Sequence, residues 1–340
     1  MHRADPPRSR RQMLRLMAAS SALIGAAAAP DAELRAALEQ ARALDPLHTL
    51  MVVRNGTVLV EHRFRGPAAD RSVNIKSVSK TIIASLVGIA IRRGHLTGVD
   101  QPVAPLLRDK LPRGADPRLH RVTIGHLLSM QAGLERTSGP FYGRWVSSPD
   151  WVRFVLARPF VADPGGPMLY STGNTHLLSA ILTRRTGRST LELARDWLGD
   201  PLNISIPPWP RDPQGIFFGG NDMLMSPRAL SRFAAMVLSH GRVGGTEVVP
   251  RSWIEASWQP QARSAFTGDS YGYGWFRRED AHLRRYYAWG FGGQMIHVVP
   301  DLGLSIVMTS DPTQRSGGSS GHSAALHRLV EQAIIPAFTG

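Results

Sequence analysis

Ser77-Val78-Ser79-Lys80 sets a hydroxyl and an amine three residues apart. On a helix that spacing brings both to one face, within reach of each other. A serine hydroxyl is a weak nucleophile until a neighbour takes its proton. Lysine can do this, because its free pKa of about 10.4 falls readily on burial, whereas arginine cannot be deprotonated. The contrast matters here: 37 of the 40 basic residues are arginine, and two of the three lysines, Lys76 and Lys80, fall within "NIKSVSK" at 74–80. Position 80 therefore asks for a group that can exist neutral, or for a compact ammonium that holds a proton network together. Lys76 reads as a surface cation.

Two further stretches carry groups that such chemistry needs. Tyr170-Ser171-Thr172-Gly173-Asn174 follows the turn-rich "ADPGGPM" and opens a helical pattern. Its tyrosine is a candidate base, or a proton shuttle between Ser77 and a leaving group. The plainer reading is a half-buried tyrosine bonded to backbone. "WGFGGQ" (289–294) has paired glycines beside a strand, where backbone can approach a ligand closely. An amide from this stretch, with that of Ser77 at a helix N-terminus, would make an oxyanion hole. A glycine bulge without function is the alternative.

The elements that must position these groups follow from periodicity. Residues 32–44 form an amphipathic helix. Two short apolar runs, 49–53 and 57–62, flank Asn55-Gly56, a strong hairpin signal. From Val78 to Arg93 the residues are apolar nearly all round, which predicts a helix buried on more than one side and stopped at Gly94. Between 105 and 240 the patterns are mainly helical (124–130, 150–156, 175–186, 190–198, 227–239). Strand patterns return at 271–276, 284–289, 295–299 and 304–309, followed by a Ser/Gly loop (316–320) and a closing helix (324–335). Strands at both ends with helices between predict an α/β chain of the α+β type. The expected division is a sheet domain from 31–104 plus 241–340, with an inserted helical subdomain at 105–240.

Composition narrows the function classes. The 340 residues are 43% apolar and 19% charged, a globular balance, with no apolar run long enough to span a bilayer. Arg10-Arg11 precedes an Ala-rich apolar stretch ending near Ala29, which predicts a removable leader of the twin-arginine export type over residues 1–30 and a periplasmic or secreted mature protein. That segment holds five arginines and one aspartate, so the formal charge of +14 falls by 4 to +10 without it. The remaining arginines are scattered, and no nucleic-acid partner is expected. With no cysteine there is no thiolate chemistry and no disulfide. No His-Glu-x-x-His, Walker or Gly-x-Gly-x-x-Gly motif occurs, so neither metal nor cofactor is expected. Gly317-Gly318-Ser319-Ser320-Gly321 fits a nucleophile elbow. The required downstream order fails, because the only later carboxylate side chain, Glu331, follows both His322 and His327.

The order Ser-x-x-Lys, then Tyr-Ser-x, then a Gly-rich strand resembles the penicillin-recognising serine hydrolase superfamily, which includes class C β-lactamases, D,D-peptidases and related esterases and amidases. The likeness runs from about Leu50 to Thr309 through "GHLTGVDQPV" (94–103), "VTIGHLLSMQAGL" (122–134), "DMLMSPRALSRFA" (222–234) and "YGYGW" (271–275). "YSTGNTHLLSAIL" (170–182) is most similar to the 6-aminohexanoate-dimer hydrolase-like branch. The resemblance implies a three-layer β-lactamase-like fold, with an antiparallel sheet flanked by helices. It also implies Ser77 as nucleophile, Lys80 as its proton partner and Tyr170 as general acid/base. Two positions depart from the pattern. Thr172 stands where the family's Tyr-x-Asn has asparagine, with Asn174 as a possible replacement. The family's Lys-Thr-Gly is expected at Phe291-Gly292-Gly293, ahead of Gln294, without a cation for a penicillin carboxylate. An uncharged ester or amide is therefore the expected small-molecule substrate. The alternatives are a β-lactamase or D,D-peptidase, or a non-catalytic penicillin- or cell-wall-binding protein on the same fold.

Overall fold

A computed structural model describes residues 32–280, 283–314 and 321–339. The expected leader lies outside them, as does most of the 317–321 loop.

The chain opens with helix α1 (Ala32–Arg42) and the hairpin β1 (Leu47–Arg54) and β2 (Thr57–Arg63). A two-residue strand β3 (Val73–Asn74) leads into a 3₁₀ turn (Lys76–Val78) that runs straight into α2 (Ser79–Arg92). Every residue of α2 from Ser79 to Ala90 is buried, as its all-round apolar pattern requires. Helices α3 (Ile124–Leu128), α4 (Tyr142–Val146), α5 (Trp151–Leu156), α6 (Thr172–Thr186), α7 (Thr190–Ala194) and α8 (Asp200–Leu202) follow. A short strand β4 (Leu224–Met225) pairs back onto β3 before α9 (Pro227–Leu238).

After a small hairpin, β5 (Arg242–Val243) with β6 (Thr246–Glu247), and α10 (Arg251–Ser257), the chain completes the main sheet. Its strands are β7 (Ala262–Arg263), β8 (Ser270–Tyr271), β9 (Phe276–Asp280), β10 (Leu283–Gly290), β11 (Gln294–Val299) and β12 (Leu304–Ser310). The run 271–276, expected as one strand, is two: it turns at 272–275 and returns as β9. The sheet has eight strands in the order β2-β1-β12-β11-β10-β9-β8-β7, antiparallel throughout. Both termini therefore contribute to one sheet.

Alternation along β11 assigns the two faces. Met295 and Val299 pack with Leu304, Ile306 and Met308 against α1 and the closing helix α11 (His322–Leu329). Ile296, Val298 and Val307 face the larger core built on α2, which also takes in α5, α6 and α9. Helices thus cover both faces of an antiparallel sheet, the three-layer α+β architecture expected. All six residues of β11 are buried, which is why its sequence is nearly continuously apolar rather than alternating.

Candidate active site

Ser77 sits in the 3₁₀ turn, one residue beyond a backbone kink: Lys76 has φ +50°, in the left-handed region, and its N–H donates to Asn74 Oδ1 at 2.9 Å. Lys80, in the first turn of α2, is buried with its Nζ 2.9 Å from Ser77 Oγ. The same nitrogen lies 2.6 Å from the Gly220 carbonyl oxygen and 3.3 Å from Thr172 Oγ1. A neutral amine has two hydrogens and one lone pair. Two donations, to Gly220 and Thr172, leave the lone pair for the Ser77 proton. Burial pushes the lysine down to about 7, against the opposing pull of Asp222, so the neutral form is populated at neutral pH.

Tyr170 lies two residues before the first residue of α6, whose first amides are satisfied from another loop. Ser138 Oγ accepts from Thr172 N–H at 2.8 Å, and Thr137 Oγ1 from Gly173 N–H at 2.9 Å. In return Thr137 N–H donates to Ser171 Oγ at 3.0 Å. These bonds fix the end of α6, and with it the tyrosine, over the Ser77 turn. The Tyr170 hydroxyl is hydrogen-bonded to Ser77, and its ring centroid is 4.9 Å from Lys80 Nζ. Burial raises the phenol to about 12, with the Ser77 bond working the other way, so it is a phenol and not a phenolate at neutral pH.

The structure answers the Tyr-x-Asn departure. Thr172, not Asn174, meets Lys80, and its hydroxyl also bonds Ser138 Oγ at 2.9 Å. Asn174 is buried further along α6 with its amide toward Met130 Sδ, 4.0 Å away, and joins no bond with Ser77, Lys80 or Tyr170. One helical residue step separates Thr172 from Gly173, and two separate it from Asn174, which turns Asn174 to a different face.

Lys76 is not a free surface cation. Its Nζ is 2.9 Å from Asp222 Oδ1, and Asp222 also accepts from Asn74 Nδ2 at 2.7 Å and Asn221 Nδ2 at 3.2 Å. The segment 219–222 therefore clasps the Ser77 turn at both lysines. Sequence reading missed Gly220, Asp222 and Ser138. The only signal was the Gly219-Gly220-Asn221-Asp222 cluster beside the family-like "DMLMSPRALSRFA".

The strand meets the turn at Gly290, ahead of the Phe291-Gly292-Gly293 stretch expected. A Cβ on Gly290 would lie 2.6 Å from the Ile75 carbonyl oxygen and 3.0 Å from Lys76 Cβ, so β10 touches the nucleophile segment at Gly290. Gly292 and Gly293 have φ of +81° and +96° and form the tight turn to β11, with Gly290 paired to Gln294. Their own Cβ directions point at the Asp311 carbonyl and the His322 ring. Gln294 is buried and braces β12, donating to the Ser310 carbonyl at 2.8 Å and accepting its N–H at 3.2 Å. Phe291 is 45% exposed at the strand end, beside the contact. The part of this stretch that abuts the Ser77 turn is therefore the end of β10 at Gly290. Ala288, on the same face as Gly290, is buried in the core around α2. Three glycines in four residues hid this register from sequence reading.

The pattern of the family described as Beta-lactamase matches residues 41–329. The chain is 25% identical over 244 residues to a 6-aminohexanoate-dimer hydrolase of Paenarthrobacter ureafaciens, a match covering 65% of this chain and 59% of that protein. It spans about three fifths of the length of the curated relatives it matches. In fold it is similar to a penicillin-binding protein homologue from Caulobacter crescentus (TM-score 0.72, 18% identity, 91% of this chain and 99% of that one). It is also similar to a family VIII carboxylesterase (TM-score 0.70, 15% identity, 91% and 98%).

Proposed function

Because this chain belongs to the Beta-lactamase family, we propose that it is a serine hydrolase that cleaves an ester or amide bond through an acyl-enzyme on Ser77. The observation that carries the reading is the 2.9 Å contact between Ser77 Oγ and a buried Lys80 whose pKa is lowered to about 7.

In the proposed cycle Lys80 Nζ takes the Ser77 proton as Oγ attacks the substrate carbonyl carbon. The amides of Ser77 and Phe291, on the turn and on the strand end that abuts it, meet the developing oxyanion. Collapse breaks the bond to the leaving group, which takes the Tyr170 phenol proton; the Lys80 ammonium returns a proton to Tyr170. Water then attacks the acyl carbon, and the same groups in reverse order release the acid and restore Ser77. A relative named for the 6-aminohexanoate dimer and a neighbour named as a carboxylesterase both favour ester or amide substrates.

The test is labelling with a fluorophosphonate, with Ser77→Ala as control, followed by turnover of p-nitrophenyl acetate. Labelling at Ser77 with turnover is expected. Labelling without turnover favours a binding protein that has lost hydrolysis, and no labelling at Ser77 overturns the reading.

A further inference from the structure

His176 lies on α6, one turn beyond Thr172, with no side-chain exposure. Its ring is caged by Trp145, Trp151 and Phe218 at centroid distances of 5.8, 5.3 and 5.9 Å. Nε2 is 3.1 Å from Asp212 Oδ2, and Nδ1 lies 3.3 Å from the Gly219 amide nitrogen, which donates to it. Asp212 is equally buried, and its Oδ1 accepts from the amides of Gln214 at 2.9 Å and Ile216 at 2.8 Å. The partners fix the tautomer. A carboxylate only accepts, so Nε2 carries the hydrogen, and the Gly219 N–H needs the lone pair on Nδ1.

Gly219 has no slack against this helix, since a Cβ there would sit 2.3 Å from the Thr175 carbonyl oxygen. The next carbonyl, that of Gly220, is the 2.6 Å acceptor of Lys80 Nζ. We infer that His176, with its tautomer set by Asp212, is a positioning residue of the active site, holding the Gly219-Gly220 segment so that the Gly220 carbonyl meets Lys80. The catalytic part of this inference rests on the reading of Lys80 as the base for Ser77; the structural part does not.

Asp212→Asn tests it with almost no change of size. The Asn carbonyl must keep serving the amides of Gln214 and Ile216, so its NH2 faces His176 Nε2. The ring proton is then driven to Nδ1, where it opposes the Gly219 N–H. We expect kcat to fall about ten- to a hundredfold with KM nearly unchanged, the range commanded by one misaligned buried hydrogen bond. Adding His176→Asn, which puts a carbonyl oxygen near the place of Nδ1 and has no tautomers, should recover part of that loss per labelled Ser77. A merely structural dyad would make the double variant worse than the single one. Nitrogen NMR provides a reading that needs no substrate: wild type should carry its ring proton on Nε2, and Asp212→Asn should move both that proton and the Lys80 Nζ resonance. A wild-type proton on Nδ1, an unmoved Lys80 signal, or a double variant no better than Asp212→Asn would overturn the inference. Absence of Ser77 labelling in wild type would instead strike the proposed reaction and leave the NMR outcome to decide this one.

Discussion

Lys80 is 1% exposed, and burial makes its charged form the costly one. A base with a pKa near 7 predicts that kcat/KM rises with pH through about 7, as the ammonium gives way to the amine. The profile should then stay level until well into the alkaline range, because the Tyr170 phenol holds its proton to about 12. A rate that falls between pH 6 and 8 would remove Lys80 as the base. Lys80→Arg should be nearly as damaging as Lys80→Ala, since arginine keeps the charge but cannot release the proton. The sign of the stability effect is fixed by the same shift. The folded pKa lies below the unfolded value of 10.5, so from about pH 7 upward the unfolded chain holds a proton that the folded one has lost, and stability rises with pH across that window. Lys80→Met should therefore be inactive yet more stable near pH 7, by roughly 2–4 kcal/mol at about 1.4 kcal/mol per pKa unit less the lost hydrogen bonds. That advantage should shrink toward pH 10.5. A lower urea midpoint for Lys80→Met at pH 7 would contradict this.

The contact between β10 and the Ser77 turn belongs to two elements at once. Gly290→Ala would place a methyl 2.6 Å from the Ile75 carbonyl oxygen, and backbone on both sides leaves the strand end or the turn to move. Separation of these elements would pull the strand-end amide from the Ser77 amide. A loss of one oxyanion donor costs about 10²–10³ in kcat. We expect a loss of that order in Gly290→Ala with the fold retained, checked by circular dichroism and ester turnover. Gly292→Ala and Gly293→Ala should act chiefly on stability, because those residues shape the turn away from the nucleophile. If Gly293→Ala lost kcat with stability intact while Gly290→Ala did not, the register of the site would be the one first expected from sequence.

At the scale of the whole molecule, substrate choice and acid tolerance are expected to depend on different groups. At the strand end Phe291 offers no cation where the family resemblance would place one for a penicillin carboxylate, and a charge-assisted contact of that kind is worth about 1.5–3 kcal/mol. A short-chain aryl ester should therefore exceed benzylpenicillin in kcat/KM by roughly ten- to a hundredfold. Comparable values would show that a cation elsewhere fills the role. Toward the closing helix Arg285 and Arg278 bind Glu331, and Asp269 accepts from Tyr287 Oη at 2.6 Å, with His297 and His327 packed beside them. Burial, and then the nearby Arg285, lowers both histidines, His297 well below its usual range and His327 to about 4. Neither His297 nitrogen finds a hydrogen-bond partner among the described residues. Because the unfolded histidines protonate near 6.5, each must stay uncharged at a cost that grows as pH falls from there toward 4. The urea midpoint should decline over that interval, and less steeply in His297→Leu. Parallel pH dependences for the two proteins would exclude His297 as a source of the decline.

Ser77, Lys80 and Tyr170 were legible in the sequence because each motif is local: a helical step joins the first two, and a helix start announces the third. The antiparallel sheet built from both ends was legible too, since alternation, an Asn-Gly turn and an all-round apolar helix are short-range consequences of backbone geometry. What decided the geometry of the candidate site was long-range. Gly220, Asp222 and Ser138 approach Lys80, Lys76 and Thr172 across separations in sequence that no periodicity records. The choice of Thr172 over Asn174 depended on which face of α6 meets α2. Gly290, Gly292 and Gly293 are chemically identical, so only packing could assign one to the nucleophile turn and the others to a hairpin. His176 and Lys76 show the same limit from the side of charge. A side chain's type fixes which bonds it can make, but its partners are chosen by whatever the fold buries beside it.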